Sequence, residues 1–139
     1  MLDLDSMREA LTLIKKGCKE IKLDKSKSYL IVEGLSKLNE QENHDEFVLL
    51  VCAVANEKLG MYANALNYYD LCISVLPESS IQIAIMGMKF RTLAKSDSKN
   101  SEKNIKLARR FFKKASAVEQ NAQMKEWWEL SILELNKML

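Results

Sequence analysis

One histidine, three cysteines and a short run of carboxylates are the residues of this chain whose chemistry could go beyond packing. His44 lies among Glu42, Asn43 and Asp45. A general base needs a nucleophile or proton donor within hydrogen-bond reach, and no such pair stands out here, so a solvated histidine in an inter-helix loop is expected. Glu40, Glu42, Asp45 and Glu46 cluster without metal-ligand spacing, and the sequence has no Gly-rich phosphate loop. Cys18, Cys52 and Cys72 are odd in number, lie 34 and 20 residues apart and never form C-x-x-C. That usage predicts reduced, mostly buried thiols rather than a disulfide or a zinc site. No residue is assigned a catalytic, cofactor-binding or metal-binding role, and a non-enzymatic protein without cofactors is expected.

The remaining residues form the frame. At 139 residues, 47% hydrophobic and +2 in net charge, the chain describes one globular domain with a real core, not a disordered or fibrous sequence. No apolar run approaches the roughly 18 residues that span a bilayer. Met1-Leu2-Asp3-Leu4-Asp5 also lack the basic-then-apolar order of a secretion leader, so a cytoplasmic protein without membrane contact is expected.

With one Pro and four Gly among many Leu, Ala, Lys, Glu and Met, the sequence predicts an all-α fold of about seven helices. Ser6-Met7-Arg8-Glu9 reads as a capping box opening a first helix that runs to about Leu23. Met7, Ala10, Leu11, Leu13, Ile14 and Cys18 form its apolar stripe, and Lys15, Lys16, Lys19 and Lys22 cover the other side. Asp24 to Ser28 is a polar break. Tyr29 to Glu40 places Ile31, Leu35 and Leu38 on one stripe and is read as helix, although Tyr29-Leu30-Ile31-Val32 also fits a strand. Two antiparallel helices are predicted from Phe47 to Leu59 and from the Gly60-Met61-Tyr62 turn to Leu76, where Pro77 stops the second. Ser80 to Lys95, Glu102 to Val118 and Met124 to Leu139 complete the set, with a loop over Ser96 to Ser101.

Charge is polarised along the chain. Residues 28–80 hold two Lys against eight acids, whereas residues 81–114 hold ten Lys and Arg against two acids. Lys103, Lys106, Arg110, Lys113 and Lys114 share a broad face of one predicted helix. Without interleaved exposed aromatics or a nucleic-acid motif, that face is expected to be solvated and nucleic acid is an unlikely partner.

The stretch from Leu59 to Pro77 resembles the tetratricopeptide repeat. Ala53 stands as the small residue of the first helix, Gly60 as the turn, Tyr62 and Tyr69 as the aromatics, Ala65 and Cys72 as the small crossing residues and Pro77 as the stop. Small side chains let two helices approach closely, and aromatics fill the gap to the next repeat. Gly87, Ala108, Phe112 and Ala115 repeat the logic with an inserted loop, and Gly17 can serve as the close-packing residue of a degenerate first repeat. The resemblance thus implies a single tetratricopeptide-like domain over 1–139, a helical-hairpin solenoid of about three repeats. Residues 1–45 form a degenerate repeat, 46–79 a clear one, 80–120 one with the loop insertion, and 121–139, with Trp127 and Trp128, a capping helix.

Such repeats turn a concave face toward a partner. Carrying the family's spacing over selects Phe47, Leu50, Val54, Glu57 and Lys58 from the clear repeat and Ile81, Ala84, Met88, Arg91 and Thr92 from the next. Six of these ten are apolar. They would form a trough for an extended or helical apolar segment of a client protein, or be covered by the amino-terminal helix or the cap. Val54 stands where chaperone-binding repeats that clamp a terminal carboxylate would want Asn. In size and layout, and in Leu59, Gly60, Tyr62, Ala65, Tyr69 and Pro77, the chain is similar to the class II chaperones of bacterial type III secretion, which hold hydrophobic translocator subunits. A needle-subunit chaperone of the same system is the related alternative. A general tetratricopeptide adaptor and a helical-repeat RNA-binding protein are the others, and a homodimer is a further assembly the layout allows.

Overall fold

A computed structural model describes residues 4–39, 45–76 and 79–139. Glu40, Glu42, His44 and Pro77 lie outside the described residues. Seven α-helices follow one another among those described: α1 (Leu4–Glu20), α2 (Ser28–Asn39), α3 (Glu46–Lys58), α4 (Tyr62–Val75), α5 (Ser80–Ser96), α6 (Ser101–Val118) and α7 (Ala122–Met138). Two single 3-10 turns, Lys25–Lys27 and Ser98–Asn100, occupy the expected polar breaks, and no strand occurs among the described residues. The all-α class is therefore observed, and Tyr29 to Val32 is helical.

The helix ends follow local chemistry. Asp45 accepts a hydrogen bond from the Val48 N–H at 2.9 Å and so caps α3, and Asn121 does the same for α7 through Met124 at 3.1 Å. Asp97 accepts from the Lys99 and Asn100 N–H groups, starting the turn that leads into α6. Gly60 closes α3 with φ +79°, a conformation glycine adopts without steric cost, while the Met61 N–H donates to the Asn56 carbonyl. Both expected boundaries of α1 are corrected. Helix α1 begins at Leu4, so Ser6 lies inside it rather than at its cap, and the Glu9 carboxylate pairs with Lys37 of α2 at 3.3 Å. The same helix ends at Glu20, and Leu23 beyond it is 94% exposed.

The chain forms two compact units, residues 1–65 and 66–139, with the boundary inside α4. In the first unit α1 pairs with α2, and α3 touches both. The α1–α2 crossing is made by two glycines facing each other's helices. A Cβ added at Gly17 would lie 2.5 Å from Ile31 Cγ1 and 2.9 Å from its backbone nitrogen, and one at Gly34 would lie 2.5 Å from Ile14 Cγ1 and 2.8 Å from the Ala10 carbonyl oxygen. Neither site has room for a side chain, which is how two helices reach the short end of the usual separation. Ala10, Ile14, Leu30, Ile31, Leu35 and Leu38 are buried, as the apolar stripes of both helices require.

The second unit is organised around α6, which packs on α5 and on α7. Ala84, Ala94, Ile105, Ala108, Phe112, Ala115, Trp128 and Leu135 form its buried cluster. A Cβ on Gly87 would meet the Phe112 ring at 3.0 Å. Trp128 of α7 stacks on that ring at 6.2 Å between centroids, and the Arg91 guanidinium lies over it at 5.9 Å. Phe90 and Phe111 make a second, nearly parallel stack at 5.4 Å across the same helix pair. Toward α4, Lys89 pairs with Asp70 at 2.8 Å, and the Gln82 side-chain amide donates to the Ile73 and Leu76 carbonyls, satisfying acceptors left open where α4 ends.

Candidate functional site

An apolar cleft of about 350 Å³ opens between α1 and α3 in the first unit, lined by Leu11, Ile14, Lys15, Phe47, Leu50, Val51 and Val54. Lys15 is the single charge among these seven. The cleft exists because α3 carries apolar residues on two sides. One side buries Val48, Cys52, Ala53 and Ala55, while Phe47, Leu50, Val51 and Val54, spaced three, one and three residues apart, remain open. Phe47 is 57% exposed at the mouth. A second, shallower depression shares Leu11 and Lys15 and continues past Met7, Arg8 and Thr12, so apolar surface runs on along α1 with cations at its edge.

Of the groove positions expected from sequence, Phe47, Leu50 and Val54 come together in this cleft. Glu57 is buried, and Lys58 is half-buried near Cys18. In the second unit Ile81 is exposed, Met88 is half-buried against the α5–α6 cluster, and Ala84, Arg91 and Thr92 are buried. The cleft's other wall, Leu11 and Ile14, was assigned by periodicity to the core stripe of α1. Their spacing, three residues apart on one face, is the only sequence signal they carry, and it does not say which helix they meet.

Polar chemistry is sparse. None of the three cysteines is in a disulfide; Cys52 and Cys72 are buried and Cys18 is half-buried. Burial pushes the Cys52 thiol up to about 11 and also raises Cys18, where Lys58 and Lys22 partly oppose it. Glu119 accepts from the Ser80 hydroxyl at 2.6 Å and from the Asn121 N–H at 3.0 Å, bonds that hold its carboxyl below the usual range. Among the described residues no group of three or more His, Cys, Asp or Glu could hold a metal ion, and no helix is long and apolar enough to cross a membrane.

A larger, open depression of about 620 Å³ lies along the start of α6, lined by Lys99, Asn100, Glu102, Lys103, Lys106, Leu107 and Arg110. Its cations are solvated, and Lys106 is engaged by Glu102 at 3.2 Å one turn away. Lys113 and Lys114 continue the exposed basic face beyond it. No protein-family model matches the chain, and neither a curated protein nor a solved structure matches it.

Proposed function

We propose that this protein is a non-enzymatic chaperone that holds a hydrophobic segment of a client protein, with the cleft between α1 and α3 as the seat of that segment. The observation that carries the reading is the cleft itself: six of its seven lining residues are apolar and Phe47 stands at its mouth. Burying an exposed Phe or Leu contributes roughly 1.5–3 kcal/mol when fully covered, so a few such anchors reach micromolar affinity after the cost of association. Within the tetratricopeptide resemblance the client is a translocator subunit of a type III secretion system and the site of action is the cytoplasm. A needle subunit is the alternative client, and a general adaptor would use the same cleft.

The test is co-expression with a translocator subunit from the source genome. Phe47→Glu and Leu50→Glu should each leave the client insoluble while the isolated variants keep wild-type helical circular dichroism. Full solubilisation by both variants would refute the cleft as the client site. The basic depression on α6 favours a second reading, an RNA-binding helical repeat. Each phosphate contact adds about 0.9 to the slope of log affinity against log salt, so four cations on phosphate would make binding collapse between low and moderate salt. Weak or no binding of RNA or duplex DNA is expected at physiological salt. Tight binding that is lost on replacing Lys103, Lys106, Arg110 and Lys113 by Gln would overturn the chaperone reading.

A further inference from the structure

Helix α7 buries one side and leaves the opposite side bare. Trp128 and Leu135 belong to the buried cluster, with Met124 and Ile132 packed against it, which fixes the rotation of the helix. The outward line then reads Glu126, Leu130, Leu133, Lys137, with steps of four, three and four residues. At 3.6 residues per turn this is a straight seam about 16 Å long, the spacing by which helices pack in pairs. All four residues are exposed, Leu130 at 53% and Leu133 at 56%. Glu126 and Lys137 make no ion pair within the chain among the described residues.

The seam is complementary to itself. Leu130 and Leu133 lie equally far from the midpoint between Ser131 and Ile132, and so do Glu126 and Lys137, which carry opposite charge. A two-fold axis through that midpoint brings each leucine onto the other leucine of a second copy and each charge onto its opposite. A parallel pairing instead sets glutamate on glutamate and lysine on lysine. An antiparallel shift by one turn sets leucine against charge. Trp127, half exposed, and Met138 add apolar surface along one flank, where the exposed Glu134 stands between them and the seam. On the other flank Asn136 accepts from Arg109 at 2.9 Å and Glu129 accepts from Ser116 at 3.4 Å, so those polar groups are held toward α6 and away from the seam.

We infer that this face of α7 binds a second copy of the same chain as an antiparallel helix pair, an isologous contact with Leu130 against Leu133 of the partner subunit and Glu126 beside Lys137 of the partner subunit. The contact uses one helix face per copy, so the dimer is reversible and concentration-dependent. It lies on α7, uses none of the residues that line the α1–α3 cleft, and does not depend on the chaperone reading.

Sedimentation velocity over a concentration series tests it. The wild-type chain should pass from monomer to dimer as concentration rises. Glu126→Lys and Lys137→Glu should each weaken the dimer by about tenfold or more, because each sets two like-charged pairs across the axis. An equimolar mixture of those two variants should dimerise again, since every end of the seam then meets an opposite charge. Leu130→Glu should remain monomeric with unchanged circular dichroism. A chain that stays monomeric up to about 1 mM overturns the inference, as does a dimer indifferent to all three substitutions or a mixture that does not recover. A chain monomeric alone, whose α7 face is instead needed to retain a different protein, also overturns it and assigns the face to that protein.

Discussion

Gly87 of α5 lies against the Phe112 ring of α6, so close that a methyl group on Gly87 would stand 3.0 Å from the nearest ring carbons. Phe112 is fully buried, with Trp128 stacked on it and Arg91 over it, so it has nowhere to move. Gly87→Ala gains about 1 kcal/mol of helix propensity against a contact tighter than side chains normally make, and a small net change is expected. Gly87→Leu cannot be accommodated and should destabilise by about 1–3 kcal/mol or more. Urea denaturation of the two variants checks this, and an unaltered midpoint for Gly87→Leu would show that α5 and α6 do not meet there.

The α1–α2 crossing should be less forgiving. At Gly34 an added methyl group meets the Ala10 carbonyl oxygen at 2.8 Å as well as Ile14, and backbone yields less readily than a side-chain tip. Gly34→Ala is therefore expected to lower stability by about 1–3 kcal/mol despite alanine's better helix propensity. Thermal melting reads the loss directly.

Thiol reactivity separates the cysteines. Desolvation holds the Cys52 thiol at about 11 and raises Cys18 less completely, and only Cys18 is partly open to solvent. With a thiol reagent at pH 8 the native chain should label slowly at Cys18 alone, and at all three positions after denaturation. Rapid labelling of Cys52 in the native protein would contradict its burial in α3.

Glu119 links the start of α5 to the loop before α7 through Ser80 and Asn121. Because these bonds favour the ionised form, its folded pKa lies below the unfolded one. Their contribution is present above the ordinary carboxylate range and is lost as pH falls through the lowered value. Glu119→Gln should melt below wild type at neutral pH, and the two melting curves should converge as the solution is acidified. A constant gap would assign the effect to packing instead of charge.

The helices were legible in the sequence because apolar periodicity, caps and the scarcity of Gly and Pro are local signals. Gly60 and the Ser96 to Ser101 loop separate elements where expected. Ser6 misled because a Ser-x-x-Glu pattern fits a cap only if the chain is not already helical, and α1 starts two residues earlier. Gly17 stood out as a close-packing residue, but its reciprocal partner Gly34 did not, since that role exists only once α1 is known to cross α2. The candidate site was half legible. Phe47, Leu50 and Val54 follow from the groove spacing that the tetratricopeptide resemblance implies, whereas Leu11 and Ile14 enter only through the tertiary contact of α1 with α3. The tetratricopeptide resemblance placed Ala84 and Arg91 in the groove, yet the close α5–α6 crossing buries both, Arg91 over an aromatic ring.

The central claim is that a client's apolar segment sits between α1 and α3, and site-specific photocrosslinking in the native cell tests it most directly. A photoreactive phenylalanine analogue replaces Phe47 at the mouth of the cleft or, as a control, Tyr29, an exposed aromatic on α2 that does not line it. Irradiation should join the chain to one secretion-system client from position 47 and not from position 29, and the adduct should disappear when Leu50→Glu is added. No adduct at position 47, or the same adducts from both positions, would contradict the account.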